Sequence, residues 1–229
     1  MEKVAPHTRI CAYNRAGLFD SDPAPTPRTS LDMINDLHNL LINAGIDGPY
    51  ILVGHSLGGM NALIYSDQYP QDVVGLVLVD PGARDTYQRM LETLPAQSAD
   101  ELRDVVDCRE TLEWIIDWWN SSDNEEGIDI ATSADQVDKI SSLGDFPLIV
   151  ITDTLDRFCR GELGDQEKQI WKDLHAEYAA LSTNGIQVFT DSGHQIPMYD
   201  PEAIIDAILA GARASQEQIV GAQRNECAV

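Results

Sequence analysis

The stretch Tyr50-Ile-Leu-Val-Gly-His-Ser-Leu-Gly-Gly59 decides how this chain is read. Its first four residues form an unbroken apolar run that stops at Gly54, the pattern of a strand buried on both faces. From Leu57 to Tyr69 the apolar residues take up helical spacing, and Pro70 ends the segment. Gly54, His55, Ser56, Leu57 and Gly58 therefore spell G-x-S-x-G between a predicted strand and a predicted helix. That context separates a sharp, strained serine turn from a chance match. Glycines two residues either side of the serine let strand and helix approach without an intervening Cβ. Such a turn lifts the Ser56 hydroxyl above a sheet at a helix N-terminus, where the dipole favours developing negative charge. The Leu57 N–H is then one oxyanion donor.

Working outward, Val73 to Val79 is a second apolar, β-branched run, ending in Asp80, Pro81 and Gly82. Strand, helix and strand thus alternate as in a parallel sheet. Upstream, Thr29 and Asp32 have capping-box spacing, and Leu31, Ile34, Leu37, Leu41 and Ala44 predict a helix closed by Gly45. Before it, Arg9 to Tyr13 reads as a short strand, followed by a Gly-, Asp- and Pro-rich loop from Gly17 to Pro27. Between Arg84 and Leu143 the strand-like runs stop. Trp114, Ile115, Trp118 and Trp119 lie there in a helical segment that reads as an inserted cap, its tryptophans lining a pocket or packing on the core. Pro147 to Thr152 and Ile186 to Thr190 resume the strand pattern, with a helix through Ile170, Leu174, Tyr178 and Leu181 between them. Pro201 opens a last helix through Ile204 and Ile208, and the polar tail from Ala214 is expected to be loosely held.

The fold class expected is α/β, a mostly parallel sheet flanked by helices with an inserted helical cap. The expected division is an N-terminal core part at 1–83, the cap at 84–143, a C-terminal core part at 144–213 and the tail at 214–229.

A serine hydroxyl is a poor nucleophile at neutral pH, so a base must take its proton. His194 is the candidate, because Asp191-Ser-Gly-His194 follows a predicted strand and falls at its carboxyl edge, where sites gather in such sheets. His7 and His38 belong to early elements, His175 to a helix and His55 to the serine turn. The third group must be a carboxylate that holds the imidazole in the right tautomer, lying between serine and histidine in the chain. Asp156, just beyond the Leu148 to Thr152 strand, fits best; Asp153 and Asp80 remain alternatives.

Fifteen Lys and Arg against 38 Asp and Glu give a formal charge of -23, which repels nucleic acid and anionic membranes. Cys11, Cys108, Cys159 and Cys227 form no CxxC pair and have no His at ligand spacing, so no metal site or redox motif is expected. Free thiols in a reducing compartment fit that spacing. No secretory signal opens the chain and no stretch is long and apolar enough for a membrane span, so a cytoplasmic location is expected.

Together these segments resemble the α/β-hydrolase superfamily: Cys11-Ala-Tyr-Asn-Arg-Ala-Gly-Leu18, Tyr50 to Gly59, Pro147 to Asp156 and Ser192-Gly-His194. The resemblance covers nearly the whole chain. It implies hydrolysis of a carboxylic ester, lactone or similar acyl compound, with Ser56 as nucleophile, His194 as base, Asp156 as orienting acid and no cofactor. Asn14 stands where many relatives carry Asp. In this family the segment resembling Arg9 to Gly17 is the fourth strand, preceded by three strands and a His-Gly oxyanion loop. None of that precedes Met1, so the fold is expected in truncated form, with the Arg9 strand moving inward to pair with the Tyr50 strand, another chain filling the slot, or a fragment whose exposed edges invite aggregation. The partner expected is a small-molecule acyl substrate, with homo-oligomerisation left open. The alternative reading is a non-catalytic binding or regulatory relative without a complete oxyanion hole.

Overall fold

The computed structural model describes residues 1–82, 85–121, 126–155 and 158–226. Four parallel strands lie in the order β1 (Tyr50–His55), β2 (Val73–Val79), β3 (Leu148–Asp153) and β4 (Gly185–Thr190). Each lies within a residue or two of the run that predicts it.

Side chains of β2 alternate between two cores. Leu76 and Leu78 join Leu63, Tyr65, Leu148 and Val150 beneath α1 (Ser30–Asn43) and α2 (Leu57–Gln68). Val77 and Val79 join Ile149, Ile151, Ala207 and Ile208 on the opposite side. The two inner strands are thus covered on both faces, which is why they read as continuous apolar runs rather than alternating ones. Fully burying each such side chain contributes about 1.5–3 kcal/mol. The Thr29–Asp32 capping box starts α1 as predicted, and Gly45 follows its end at φ 60.

Between β2 and β3 lie α3 (Asp85–Thr93), α4 (Arg103–Trp119) and α5 (Ile130–Val137). Cys108, Leu112 and Ile115 form the inward stripe of α4, packed with Tyr87, Met90 and Leu94. Trp114 and Trp118 face outward, 66% and 42% exposed, so neither packs the segment onto the core; the Trp119 side chain lies outside the described residues. After β3 comes α6 (Gly161–Ala179), and after β4 come α7 (Ile196–Tyr199) and α8 (Pro201–Glu226).

Three sequence expectations are corrected. Arg9 to Tyr13 forms no strand: the segment is irregular, and Ile10 packs against the α8 side of the sheet. A strand exists only where a neighbour completes its hydrogen bonds, and this segment pairs with none of the four strands. The helix does not end at Ala214: α8 continues to Glu226, and Ser215 Oγ donates to the Val74 carbonyl at 2.6 Å. The thiols are not all free: Cys108 of α4 and Cys159, beyond β3, form a disulfide across 51 residues of sequence. Spacing alone hid this pair, because tertiary packing brings α4 over that loop. Such bonds persist mainly in oxidising compartments, so the free-thiol ground for a cytoplasmic location falls away. Cys11 is free and exposed. No described helix is long and apolar enough to cross a membrane.

Candidate active site

The parallel register aligns the carboxyl ends of the strands, with His55 opposite Val79, Val79 opposite Ile151 and Asp153 opposite Thr190. Ser56, Asp80 and His194 therefore all lie at one edge of the sheet, just beyond the strands. Ser56 follows β1 at φ 53 and ψ -120, a left-handed conformation that costs a non-glycine residue about 1–3 kcal/mol. Its amide donates to the Val79 carbonyl at 3.1 Å, and its own carbonyl accepts from Gly59 at 2.9 Å and Gly82 at 3.1 Å. The serine turn is thereby fastened to the turn that ends β2.

The glycines flanking Ser56 differ in purpose. A Cβ on Gly54 would sit 2.1 Å from the Gly58 carbonyl oxygen, so the turn requires glycine there. Gly58 itself has open space around it, contrary to expectation. The second tight approach belongs to Gly59, where a Cβ would meet the Pro81 ring at 2.7 Å. Leu57 opens α2, and first-turn amides of a helix lack intrahelical partners, which leaves its N–H available to an oxyanion.

His194 lies in the loop after β4, and its Nδ1 donates to Asp80 Oδ2 at 2.6 Å. Asp80 is fully buried at φ 44, and its other oxygen, Oδ1, accepts from the Trp171 indole at 2.8 Å and the Asp153 amide at 3.1 Å. The carboxylate at the His194 ring is thus Asp80 of the β2 turn, one of the two alternatives to Asp156. Asp156 lies outside the described residues. Asp153, 2% exposed, holds the histidine loop through its backbone instead: Oδ1 accepts from the Gly193 amide at 2.8 Å.

His55 is more than part of the turn. Its Nε2 donates to the His194 carbonyl at 2.7 Å, and the two rings lie 4.7 Å apart. Among the described residues no hydrogen bond joins Ser56 Oγ to the His194 ring. Nor does any group of three or more His, Cys, Asp or Glu there have the arrangement of a metal site. Sequence reasoning missed Trp171 and His175 as parts of this region. His175 is fully buried beneath the Asp80 turn, and only its position on an apolar helix stripe hinted at burial.

Comparison with known proteins agrees with this architecture. A family model described as alpha/beta hydrolase fold matches residues 1–106. A protein named "Probable transporter efuK" from Hormonema carpetanum is 43% identical over 94 residues, 39% of this chain and 14% of that one. Lipase LipV from Mycobacterium tuberculosis is 38% identical over 77 residues, 34% of this chain and 29% of its own length. The chain thus spans under a third of either relative. The crystal structure of a hydrolase from Pseudomonas aeruginosa PA01 superposes with a TM-score of 0.58 at 18% identity, covering 92% of this chain and 82% of that one. The chain has the α/β-hydrolase fold.

Proposed function

We propose that this chain is a serine hydrolase that cleaves a carboxylic ester, lactone or similar small acyl compound through Ser56, His194 and Asp80. The observation that carries the reading is the 2.6 Å contact from His194 Nδ1 to the buried Asp80 carboxylate, made at the sheet edge from which Ser56 leaves on a strained turn. A proton on Nδ1 leaves Nε2 as the basic nitrogen, the tautomer a general base requires.

In this reading Ser56 Oγ attacks the substrate carbonyl while His194 Nε2 takes its proton. The Asp80 charge stabilises the imidazolium, and the Leu57 N–H stabilises the oxyanion. His194 returns the proton to the leaving group, and a water deprotonated by the same ring then releases the acyl group from Ser56. The steps need no metal or organic cofactor. Contacts between serine and base are often long in unliganded sites and tighten once substrate is bound.

The test is hydrolysis of a short p-nitrophenyl ester series by the chain and by Ser56→Ala, with fluorophosphonate labelling alongside. Ser56-dependent turnover and labelling support the proposal. Equal turnover by Ser56→Ala rules the serine out. A chain that neither turns over nor labels is the non-catalytic binding relative.

A further inference from the structure

Three side chains on one face of α6 meet three consecutive residues of the turn beyond β2. Trp171, His175 and Tyr178 are four and three residues apart, so they form one helical stripe. In order along that stripe, Trp171 Nε1 donates to Asp80 Oδ1 at 2.8 Å, His175 Nε2 to the Pro81 carbonyl at 3.0 Å, and the Tyr178 hydroxyl to the Gly82 carbonyl at 3.0 Å. The Gly82 amide in turn holds the Ser56 carbonyl. One helix face therefore grips the turn that carries Asp80 and is bonded to the serine turn.

The hydrogen bonds fix the donors. A carbonyl can only accept, so Nε2 of His175 carries the proton and Nδ1 accepts from the Thr152 hydroxyl at 2.9 Å. Thr152 Oγ1 in turn accepts from the Gln187 amide at 2.8 Å. The Trp171 and His175 rings lie 4.5 Å apart, tilted by 53°, and both side chains are buried. Packing a helix onto a sheet asks only for apolar surface. A buried indole N–H and imidazole and a half-buried phenol are costly unless each finds its partner, and here the partners are successive groups of one turn. That turn also needs support, because Asp80 sits at φ 44 and strained backbone persists only where its surroundings over-determine it.

We propose that Trp171, His175 and Tyr178 are positioning residues that fix the Asp80 turn and aim its carboxylate, Oδ1 toward the indole and Oδ2 toward His194. This inference rests on the reading of Ser56, His194 and Asp80 as a triad. Trp171 governs the carboxylate directly, and Tyr178 acts through the backbone of the turn.

The experiment uses Trp171→Phe and Tyr178→Phe, which keep a ring and remove one donor each, in otherwise wild-type and Ser56→Ala chains. Two readouts are taken: kcat and KM with a p-nitrophenyl ester, and the downfield proton resonance of the His194–Asp80 hydrogen bond, assigned by its loss in His194→Gln. Trp171→Phe is expected to lower kcat about 10- to 100-fold with KM within about twofold, the worth of one hydrogen bond to a charged group, and to displace the resonance. Tyr178→Phe is expected to lower kcat about 2- to 10-fold with KM again unchanged. A folded Trp171→Phe with wild-type kcat and an unmoved resonance overturns the proposal, as does a loss carried by KM alone. If Trp171→Phe does not fold, Tyr178→Phe decides by the same criteria. If the wild-type chain shows no Ser56-dependent turnover, the hydrolase reading fails, while the resonance still decides whether the stripe aims Asp80.

Discussion

Replacing Asp80 with Asn tests the triad more sharply than removing the serine, because the structure dictates which way the new amide must face. Asp80 Oδ1 accepts from the Trp171 indole and the Asp153 amide, and Oδ2 faces His194 Nδ1. In Asp80→Asn the amide oxygen must stay with the two donors, since an NH2 group there would meet N–H groups. The NH2 then points at His194 Nδ1, which has to become an acceptor. The ring proton moves to Nε2, and the imidazole can no longer take a proton from Ser56. Loss of the charge and the wrong tautomer together lower kcat by about 10⁴-fold in triads of this kind, about 5.4 kcal/mol of transition-state stabilisation. Burial and volume barely change, so KM and the folded structure stay near wild type. The assay is steady-state hydrolysis of a p-nitrophenyl ester by Asp80→Asn beside Asp153→Asn and Asp156→Asn. The reasoning is refuted if Asp80→Asn keeps more than a tenth of wild-type kcat, and most plainly if Asp156→Asn is the variant that loses it.

Ser56→Gly relieves a left-handed residue at φ 53 and is expected to stabilise the fold by about 1 kcal/mol while abolishing turnover, measured by urea unfolding beside the ester assay. The Cys108–Cys159 bond closes a separation of 51 residues, so its removal in Cys108→Ser/Cys159→Ser should cost about 4 kcal/mol, seen as a lower urea midpoint that reductant does not lower further. Asp129 caps α5 by accepting from the Thr132 amide and hydroxyl, which hold its carboxyl below the ordinary value of 3.8. Its contribution is therefore complete above that value and lost as pH falls through the lower folded one. Asp129→Ala should cost about 1 kcal/mol at pH 7 and progressively less below about pH 4, measured by unfolding at both pH values.

Much of the fold was legible because its signals are local. The Thr29–Asp32 box, the apolar runs of the four strands and the G-x-S-x-G turn each need only neighbouring residues to declare themselves. His194 was legible for a related reason, since a loop after the last parallel strand must open on the carboxyl edge. The Arg9 segment failed where β propensity had no partner strand to satisfy it. The disulfide failed because cysteines 51 residues apart carry no spacing signal.

By itself the sequence determined the order of the four strands and the helices between them, the strained serine at the end of β1 and the loop that carries His194, since backbone geometry and burial periodicity act over a few residues. Only the tertiary structure decided which carboxylate meets His194. Asp80, Asp153 and Asp156 all stand at or just beyond the end of an apolar run and all fall between Ser56 and His194 in the chain, so order cannot separate them. The choice of Asp80 comes from the lateral placement of β2 between β1 and β3, and from an indole on α6 that turns its carboxylate toward a histidine 114 residues away.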